Sequence, residues 1–302
     1  MKRRDFIHKT AAGSALVLGG LSLSSFAEPE IKKLTILHTN DVHSHIDPFP
    51  VDDPKYGNKG GVARRATLID QVRSEESNVL LFDAGDIFQG TPYFNYYGGE
   101  LEMKLMAMLK YDLGTLGNHD FDNGIDGFFK QMPHAKFDFV CANYDFKNTI
   151  LDGVVKPYKI FIKDGIKIGV FGLGIELHGL VDKKLYKETV YNNPIEVAQD
   201  MSRILKVNEK CDLVICLSHL GFIYANDHEK ISDLVLARTT KNIDAIIGGH
   251  THTFLTKPYV EKNLDGHEVL INQVGCYGIN VGRLDFTFEM GKKSASGKTI
   301  TV

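Results

Sequence analysis

Short apolar runs that each stop at a polar cluster recur along this chain. The first covers residues 34–39 (Leu-Thr-Ile-Leu-His-Thr) and ends in Asn40-Asp41. Its length and β-branched content predict a buried strand. The same form returns at Asn78 to Phe82, closing on Asp83-Ala84-Gly85-Asp86, and at Tyr111 to Leu116, closing on Gly117-Asn118-His119-Asp120-Phe121-Asp122. It returns again at Phe137 to Cys141, at Asp212 to Leu217 before Ser218-His219, and at Ala245 to Ile247 before Gly248-Gly249-His250-Thr251-His252. Between these runs the apolar spacing becomes helical. Ala63, Ala66, Leu68, Ile69 and Val72 follow Gly60-Gly61 as the inward side of one predicted helix. Leu101, Leu105, Met108 and Leu109 mark a second, and Ile125, Phe128 and Phe129 a third. Val197, Ala198, Met201, Ile204 and Leu205 mark a fourth, and Ile231, Leu234 and Val235 a fifth. Steps of three and four residues put such positions on one face of a helix.

Tyr158 to Ile162 and Ile166 to Phe171 flank Lys163-Asp164-Gly165, which predicts a β-hairpin around an Asp-Gly turn. Glu268 to Val274 and Asn280 to Phe288 alternate in the manner of strands, whereas the Lys-, Ser- and Gly-rich residues 291–302 predict a frayed, flexible tail. Strands alternating with helices, followed by antiparallel pairs, predict an α/β fold over residues 31–290. The expected architecture is two mixed β-sheets packed face to face with helices outside, a four-layer α-β-β-α sandwich. Gly169-Val170-Phe171-Gly172-Leu173-Gly174 has the wrong order for a dinucleotide loop and reads as a strand end.

The bulk numbers allow one large α/β domain or two small ones: 302 residues, 43% hydrophobic and 24% charged. A formal net charge of -3 argues against nucleic acid as a general partner. Arg3-Arg4-Asp5-Phe6-Ile7-His8-Lys9, an apolar run from Ala11 to Leu23 and the small-x-small triplet Ser25-Phe26-Ala27 read as a twin-arginine export signal over residues 1–27. The run is too short and too rich in Gly and Ser for a comfortable membrane span, so a periplasmic protein without a stable anchor is expected. Export would permit disulfides, but Cys211 and Cys216 bracket one strand and would lie roughly 16 Å apart. With Cys141 at a strand end and Cys276 in a loop, four buried free thiols are expected.

Composition adds one sharper signal. Of twelve histidines, five (His43, His119, His219, His250 and His252) fall in the clusters that close the strands. Asp41-x-His43 puts two donors on one side of an extended segment. Taken alone, such a pair is common in structural roles, and Gly85-Asp86 alone says less. His250-x-His252 is a frequent metal clamp. Functional residues of α/β sheets gather outside the strand ends, so five such loops together point to a shared hydrolytic metal site.

In their order, Asp-x-His, Gly-Asp, Gly-Asn-His-Asp, a lone His after a strand and Gly-His-x-His, these motifs resemble the calcineurin-like metallophosphoesterase superfamily. Ile36-Leu37-His38-Thr39-Asn40-Asp41, Gly117-Asn118-His119-Asp120-Phe121-Asp122 and Gly249-His250-Thr251-His252 look like the N-terminal catalytic domain of the bacterial 5′-nucleotidase family. The resemblance implies two divalent ions, of Zn, Mn, Fe or Co. Asp41, His43 and His252 would hold one, Asn118, His219 and His250 the other, and Asp86 would bridge them. It further implies that a metal-bridging hydroxide attacks a phosphate ester, nucleotide-like in kind, while His119 steadies the leaving group and Asp122 orients His119. The alternative for His119 is a helix-capping imidazole. Family members carry a second domain that selects the nucleobase, so a separately encoded partner domain is a further expectation. The same motifs would also serve a cyclic phosphodiesterase, a nucleotide-sugar or sulfur-ester hydrolase, or a non-catalytic accessory subunit.

Around these residues, Asn40 and His45 are expected to orient the first ligands. Asp120 is expected behind the ligands or as a charge at a helix start, and His38 as a satisfied core residue. Arg64 and Arg65 are read as solvated or salt-bridged rather than facing substrate, and His134, His178, His228 and His267 as surface residues.

Overall fold

The computed structural model describes residues 31–302; the export signal expected over residues 1–27 lies outside the described residues. The first half runs Lys32–Thr39 (β1), Val62–Glu75 (α1), Val79–Asp83 (β2), Pro92–Tyr97 (α2), Glu100–Met108 (α3), Leu113–Gly114 (β3), Gly124–Gln131 (α4), Asp138–Phe139 (β4) and Tyr144–Asp145 (β5). There follow Tyr158–Lys163 (β6), Ile166–Leu173 (β7), Lys183–Tyr186 (α5), Val190–Tyr191 (β8), Pro194–Arg203 (α6), Leu213–Ser218 (β9) and Asp233–Thr239 (α7). The chain closes with Ala245–Gly248 (β10), Tyr259–Lys262 (β11), Glu268–Asn272 (β12), Asn280–Glu289 (β13) and Lys292–Thr301 (β14).

One sheet has the order β14-β13-β1-β2-β3-β4 and the other β11-β12-β10-β9-β7-β6, with β5 and β8 as a separate pair. Strands β1 to β4 are parallel, as are β7, β9, β10 and β12. Their near-continuous apolar sequence follows from burial on both faces. Leu34 and Ile36 of β1, Leu80 and Phe82 of β2, and Leu284 and Phe286 of β13 meet Ile168, Leu213, Ile215, Ala245 and Ile247 in the core between the sheets. The alternate residues point outward. Leu37, Val79 and Leu81 pack on Ile69, Val72, Met103 and Phe128, while Val214, Cys216 and Ile246 pack on Ala198, Leu234 and Leu236. The result is the four-layer α-β-β-α sandwich. Truncating one of the inter-sheet side chains, such as Ile36, to Ala should cost about 2–5 kcal/mol.

Several local expectations are corrected. Residues 292–301 are strand β14, antiparallel to β13 from Asn280↔Thr301 to Glu289↔Lys292, and not a frayed tail. This edge strand is polar because its side chains are mostly exposed and only its backbone needs a partner. In α1 the inward face is Arg65, Ile69 and Val72, at i, i+4 and i+7, and Ala63 is exposed. In α3 the face is rotated: Glu102, Met103 and Met106 are buried while Met108 is 76% exposed. Helix α2 and strand β11 had no sequence signal strong enough to place them. The four cysteines are free and buried, as expected. Among the described residues no helix is long and apolar enough to cross a membrane.

Candidate metal centre

The parallel strands of both sheets end on the same edge of the sandwich, and five loops leave from there. After β1, the amides of Asp41, His43 and Ser44 bond to the carbonyls of Gly85, Asp86 and Ile87, so the loops after β1 and β2 extend their strand pairing. Asp41, His43, Asp86, His250 and His252 all adopt left-handed backbone, with φ of 49°, 49°, 55°, 76° and 51°. Non-glycine residues rarely do so, and the strain is kept only where surrounding bonds over-determine it. Gly117 has a steric reason: a Cβ there would overlap Asp86 Oδ1 and crowd His219.

Donor atoms of Asp41, His43, Asp86 and His252 lie within 4.8 Å of one another, and so do those of Asp86, His219 and His250. Asp86 belongs to both groups. Asn118 Oδ1 sits 2.9 Å from His250 Nδ1 and so joins the second. The tautomers are set from behind. His219 Nδ1 donates to Ala84 O at 2.6 Å, and His43 Nδ1 faces the carbonyls of Phe88 and Gln89 at 3.2 and 3.0 Å. Their Nε2 atoms are therefore left facing the cluster. His43 Nε2 lies 2.9 Å from His252 Nε2, a separation that two lone pairs tolerate only with a proton or cation between them. His219 Nε2 is buried, lies 3.0 Å from Asp86 Oδ2, and still makes no hydrogen bond of acceptable geometry among the described residues. An orphaned imidazole nitrogen aimed at a buried carboxylate fits a divalent cation, and the mixed O/N donor set suits a transition metal.

The charges are strongly coupled. Burial would push the Asp86 carboxyl up, but His219 outweighs it and holds the group well below the usual carboxylate range. Burial likewise opposes protonation of His219, and Asp86 and Asp41 overcome it, taking the ring up to about 10. His252 rises to about 10 because Asp41, at 3.4 Å, outweighs its burial. Burial and the neighbouring His219 take His250 down to about 4, and burial takes His43 down against the pull of Asp86 and Asp41.

His119 sits at the rim. Its Nδ1 is 2.9 Å from Asp122 Oδ2, its ring lies edge-on to His43 at 5.3 Å, and 41% of its side chain is exposed. Asp122 raises its proton affinity against partial burial. Asp120 does more than charge a helix start. Its carboxylate accepts from the amides of Asp86 (3.0 Å), Ile87 (3.0 Å), Phe88 (3.3 Å) and Gly117 (2.8 Å), tying the Asp86 loop to the Asn118 turn. Asn40 donates to Asp41 Oδ2 at 2.6 Å and to Gly275 O at 2.7 Å, as an orienting residue should.

Other expectations shift. The His45 ring packs on Tyr277 at 4.3 Å and Phe49 at 5.0 Å, so its contacts are aromatic rather than with a ligand. His38 is buried between the sheets, opposite Gly282 in the strand register. Its Nε2 is 2.9 Å from Asn272 Nδ2, but its Nδ1 has no partner among the described residues, so it is only half satisfied there. Arg64 bonds to the carbonyl and side chain of Asn58. Arg65 is buried in a small cavity with Ser44, Glu102 and Tyr111, and its Nε and Nη1 have no hydrogen-bond partner among the described residues. Sequence reasoning also missed Gln273, whose side chain braces the histidine loop through Gly249 O (2.6 Å) and Thr251 Oγ1 (3.0 Å). A lone Gln at a strand end gave no signal for that.

The family profile of the Calcineurin-like phosphoesterases matches residues 34–254. Snake venom 5′-nucleotidase of Naja atra is 36% identical over 89% of this chain and 53% of its own length. The chain thus spans about half the length of this relative. Among solved structures, a 5′-nucleotidase precursor from Thermus thermophilus superposes with a TM-score of 0.81 at 33% identity, covering 90% of this chain and 55% of that one. The calcineurin-like phosphoesterase YfkN from Bacillus subtilis superposes with a TM-score of 0.72 at 26% identity, over 90% and 91% of the two chains. With a profile match across most of the described residues and the two donor groups lying inside it, the chain belongs to the calcineurin-like phosphoesterases.

Proposed function

We propose that this protein hydrolyses phosphate monoesters, nucleotides among them, at a centre that holds two divalent cations. The observation that carries this reading is the sharing of Asp86 by two convergent donor groups. In it, Asp41, His43 and His252 hold one ion, Asn118, His219 and His250 the other, and the Asp86 carboxylate offsets the repulsion between them. When bound, such a pair supplies a low-pKa water and a clamp for phosphoryl oxygens.

The protein's own groups do the rest. Asp122 fixes His119 Nδ1 and favours the protonated ring, which leaves His119 Nε2 to give its proton to the departing alcohol oxygen. Asp120 and Asn40 hold the Asp86 and Asp41 carboxylates in place, so little reorganisation is needed when charge develops. Export through the twin-arginine route to the periplasm is part of the same proposal and rests on Arg3-Arg4 and the apolar run that follows.

The test is metal content together with turnover. Protein reconstituted with manganese or zinc and then desalted should retain about two ions per chain and cleave a chromogenic phosphomonoester. Retention of none of these metals, with no cleavage of monoester or diester, would overturn the reading. A reporter fused to residues 1–40 that stayed in the cytoplasm would remove the export part alone.

A further inference from the structure

Half of the orphaned polar atoms of the described residues gather in one place that the chemistry above does not use. Of ten buried side-chain nitrogens and oxygens with no hydrogen-bond partner there, five are Ser44 Oγ, Arg65 Nε and Nη1, and both carboxylate oxygens of Glu102. All three residues line one small cavity between α1, α3 and the loop after β1. They are 1%, 5% and 5% exposed, so bulk solvent does not satisfy them. Two other polar groups on the wall, Asp83 and Tyr111, are accounted for. Thr39 Oγ1 donates to Asp83 Oδ2 at 2.5 Å and lies 2.7 Å from the Tyr111 hydroxyl, and Gly85 N donates to Asp83 Oδ1 at 2.9 Å.

A buried polar group without a partner is costly, and a buried charge without one more so. Arg65 brings a guanidinium, and Glu102 a carboxyl whose proton affinity burial raises and the nearby Ser44 hydroxyl lowers. Neither side chain meets the other in hydrogen-bonding geometry. Arg65 is confined, since its Nη1 lies so close to Gly278 that a Cβ there would overlap it. Ser44 is equally fixed. Its φ is 56°, its amide donates to Ile87 O at 2.9 Å, and its carbonyl accepts from Thr91 Oγ1 at 2.9 Å. The three groups thus border a common space from set positions.

We infer that this cavity is a site for internal water, one or two molecules, through which Arg65, Glu102 and Ser44 are joined into one network behind the loop that carries His43. The cavity offers about 20 Å³ to water centres, against the roughly 10–15 Å³ that a single water needs. Its polar wall is mixed: Arg65 supplies only donors, Glu102 acceptors, and Ser44 one group that does both. Water can accept from the first and donate to the second, whereas an anion would face Glu102 and a cation would face Arg65. The bearing on the centre rests on the phosphoesterase reading, in which His43 holds a cation. His43 and Ser44 are consecutive left-handed residues, with φ of 49° and 56°. Such backbone persists only where its surroundings over-determine it. The network anchors the Ser44 side chain, so Arg65 and Glu102 act as positioning residues for His43.

A crystal structure of the full chain that resolves ordered solvent should show a water within about 3 Å of both an Arg65 nitrogen and a Glu102 oxygen. A dry cavity, an ion in it, or direct contact between the two side chains would overturn the inference. Coupling across the water is read by denaturant unfolding of the metal-free protein. Arg65→Leu and Glu102→Leu each strand a buried charge and should raise the unfolding constant roughly 10²–10³-fold. The double variant Arg65→Leu/Glu102→Leu should return to within about tenfold of wild type. A double whose loss equals the product of the two single effects would sink the network. If neither single variant folds, a folded double still shows the coupling and an unfolded one removes it. For the positioning role, Ser44→Ala and the double variant should bind one of two manganese ions about tenfold more weakly and leave the other unchanged. Wild-type affinity for both ions in a stable double variant would reduce the pair to a structural role and overturn that part. Failure of wild type to bind manganese would count against the phosphoesterase reading instead, while the solvent and unfolding results still decide the network.

Discussion

The two sheets make unlike contributions to the candidate centre. The first brings both buried carboxylates, the Asn118 amide and His43; the second brings only imidazoles, His219, His250 and His252. The first sheet's residues are also the more heavily braced, with Asp120 accepting from four amides and Asn40 holding Asp41, while His219 leans on a single carbonyl, Ala84 O. Burying two carboxylates on one sheet alone would be very costly. The second sheet offsets that cost across the seam, so neither half of the sandwich contains a viable site. The centre exists only where the sheets are packed in register.

The largest expected effect tests that division. Asp86→Ala should remove both ions and bring turnover to background, whereas His252→Ala should release one ion and keep the other, as read by metal content per chain. Loss of both ions in His252→Ala would break the comparison, because the second sheet's imidazoles would then be as indispensable as the shared carboxylate. Next in size, His119→Ala should keep both ions and slow kcat by roughly 10²–10⁴. Metal loss equal to that of Asp86→Ala would place His119 among the ligands.

The bracing is tested by stability. Asp120→Ala leaves buried amides without their acceptor and should cost about 3 kcal/mol in denaturant unfolding of the metal-free protein. A cost near zero would mean that the Asp86 loop holds its shape unaided. The smallest effect lies at the seam itself. Burial takes His38 down to about 3 from the ordinary 6.5. Below pH 6.5 the unfolded chain binds a proton there that the folded chain refuses, so stability falls as pH falls, by about 1.4 kcal/mol per pH unit. Metal-free His38→Leu should lack this component and gain about 2 kcal/mol on wild type between pH 7 and pH 5. Parallel pH profiles for the two proteins would show that His38 is not confined as the packing indicates.

What could be read from the sequence was local. An apolar run that ends in Asp, His or Asn announces both a buried strand and a polar loop at its end, because two-sided burial leaves a parallel strand no room for polar side chains until it leaves the sheet. The layers and the five polar loops were legible for that reason, and the Asp164-Gly165 hairpin was legible from its turn residues, both with positive φ. Features that depended on a distant neighbour were not. Strand β14 is polar because a sheet edge asks only for backbone bonds, and its partner β13 made it a strand. Arg65 and Glu102 sit inside because the helices bearing them rotate to fit the sheet, which no count of apolar residues in either helix reveals.

The sequence by itself therefore determined most of the strands and helices and the kinds of donor at one edge, since each follows from periodicity and residue chemistry within a few positions. Tertiary structure alone decided that Asp120 would tie two loops together, that Gln273 would brace a third, and that Ser44, Arg65 and Glu102 would border one cavity. These arrangements join residues tens to hundreds of positions apart, and the free energy that fixes them comes from packing two sheets face to face, a quantity no single stretch of chain contains.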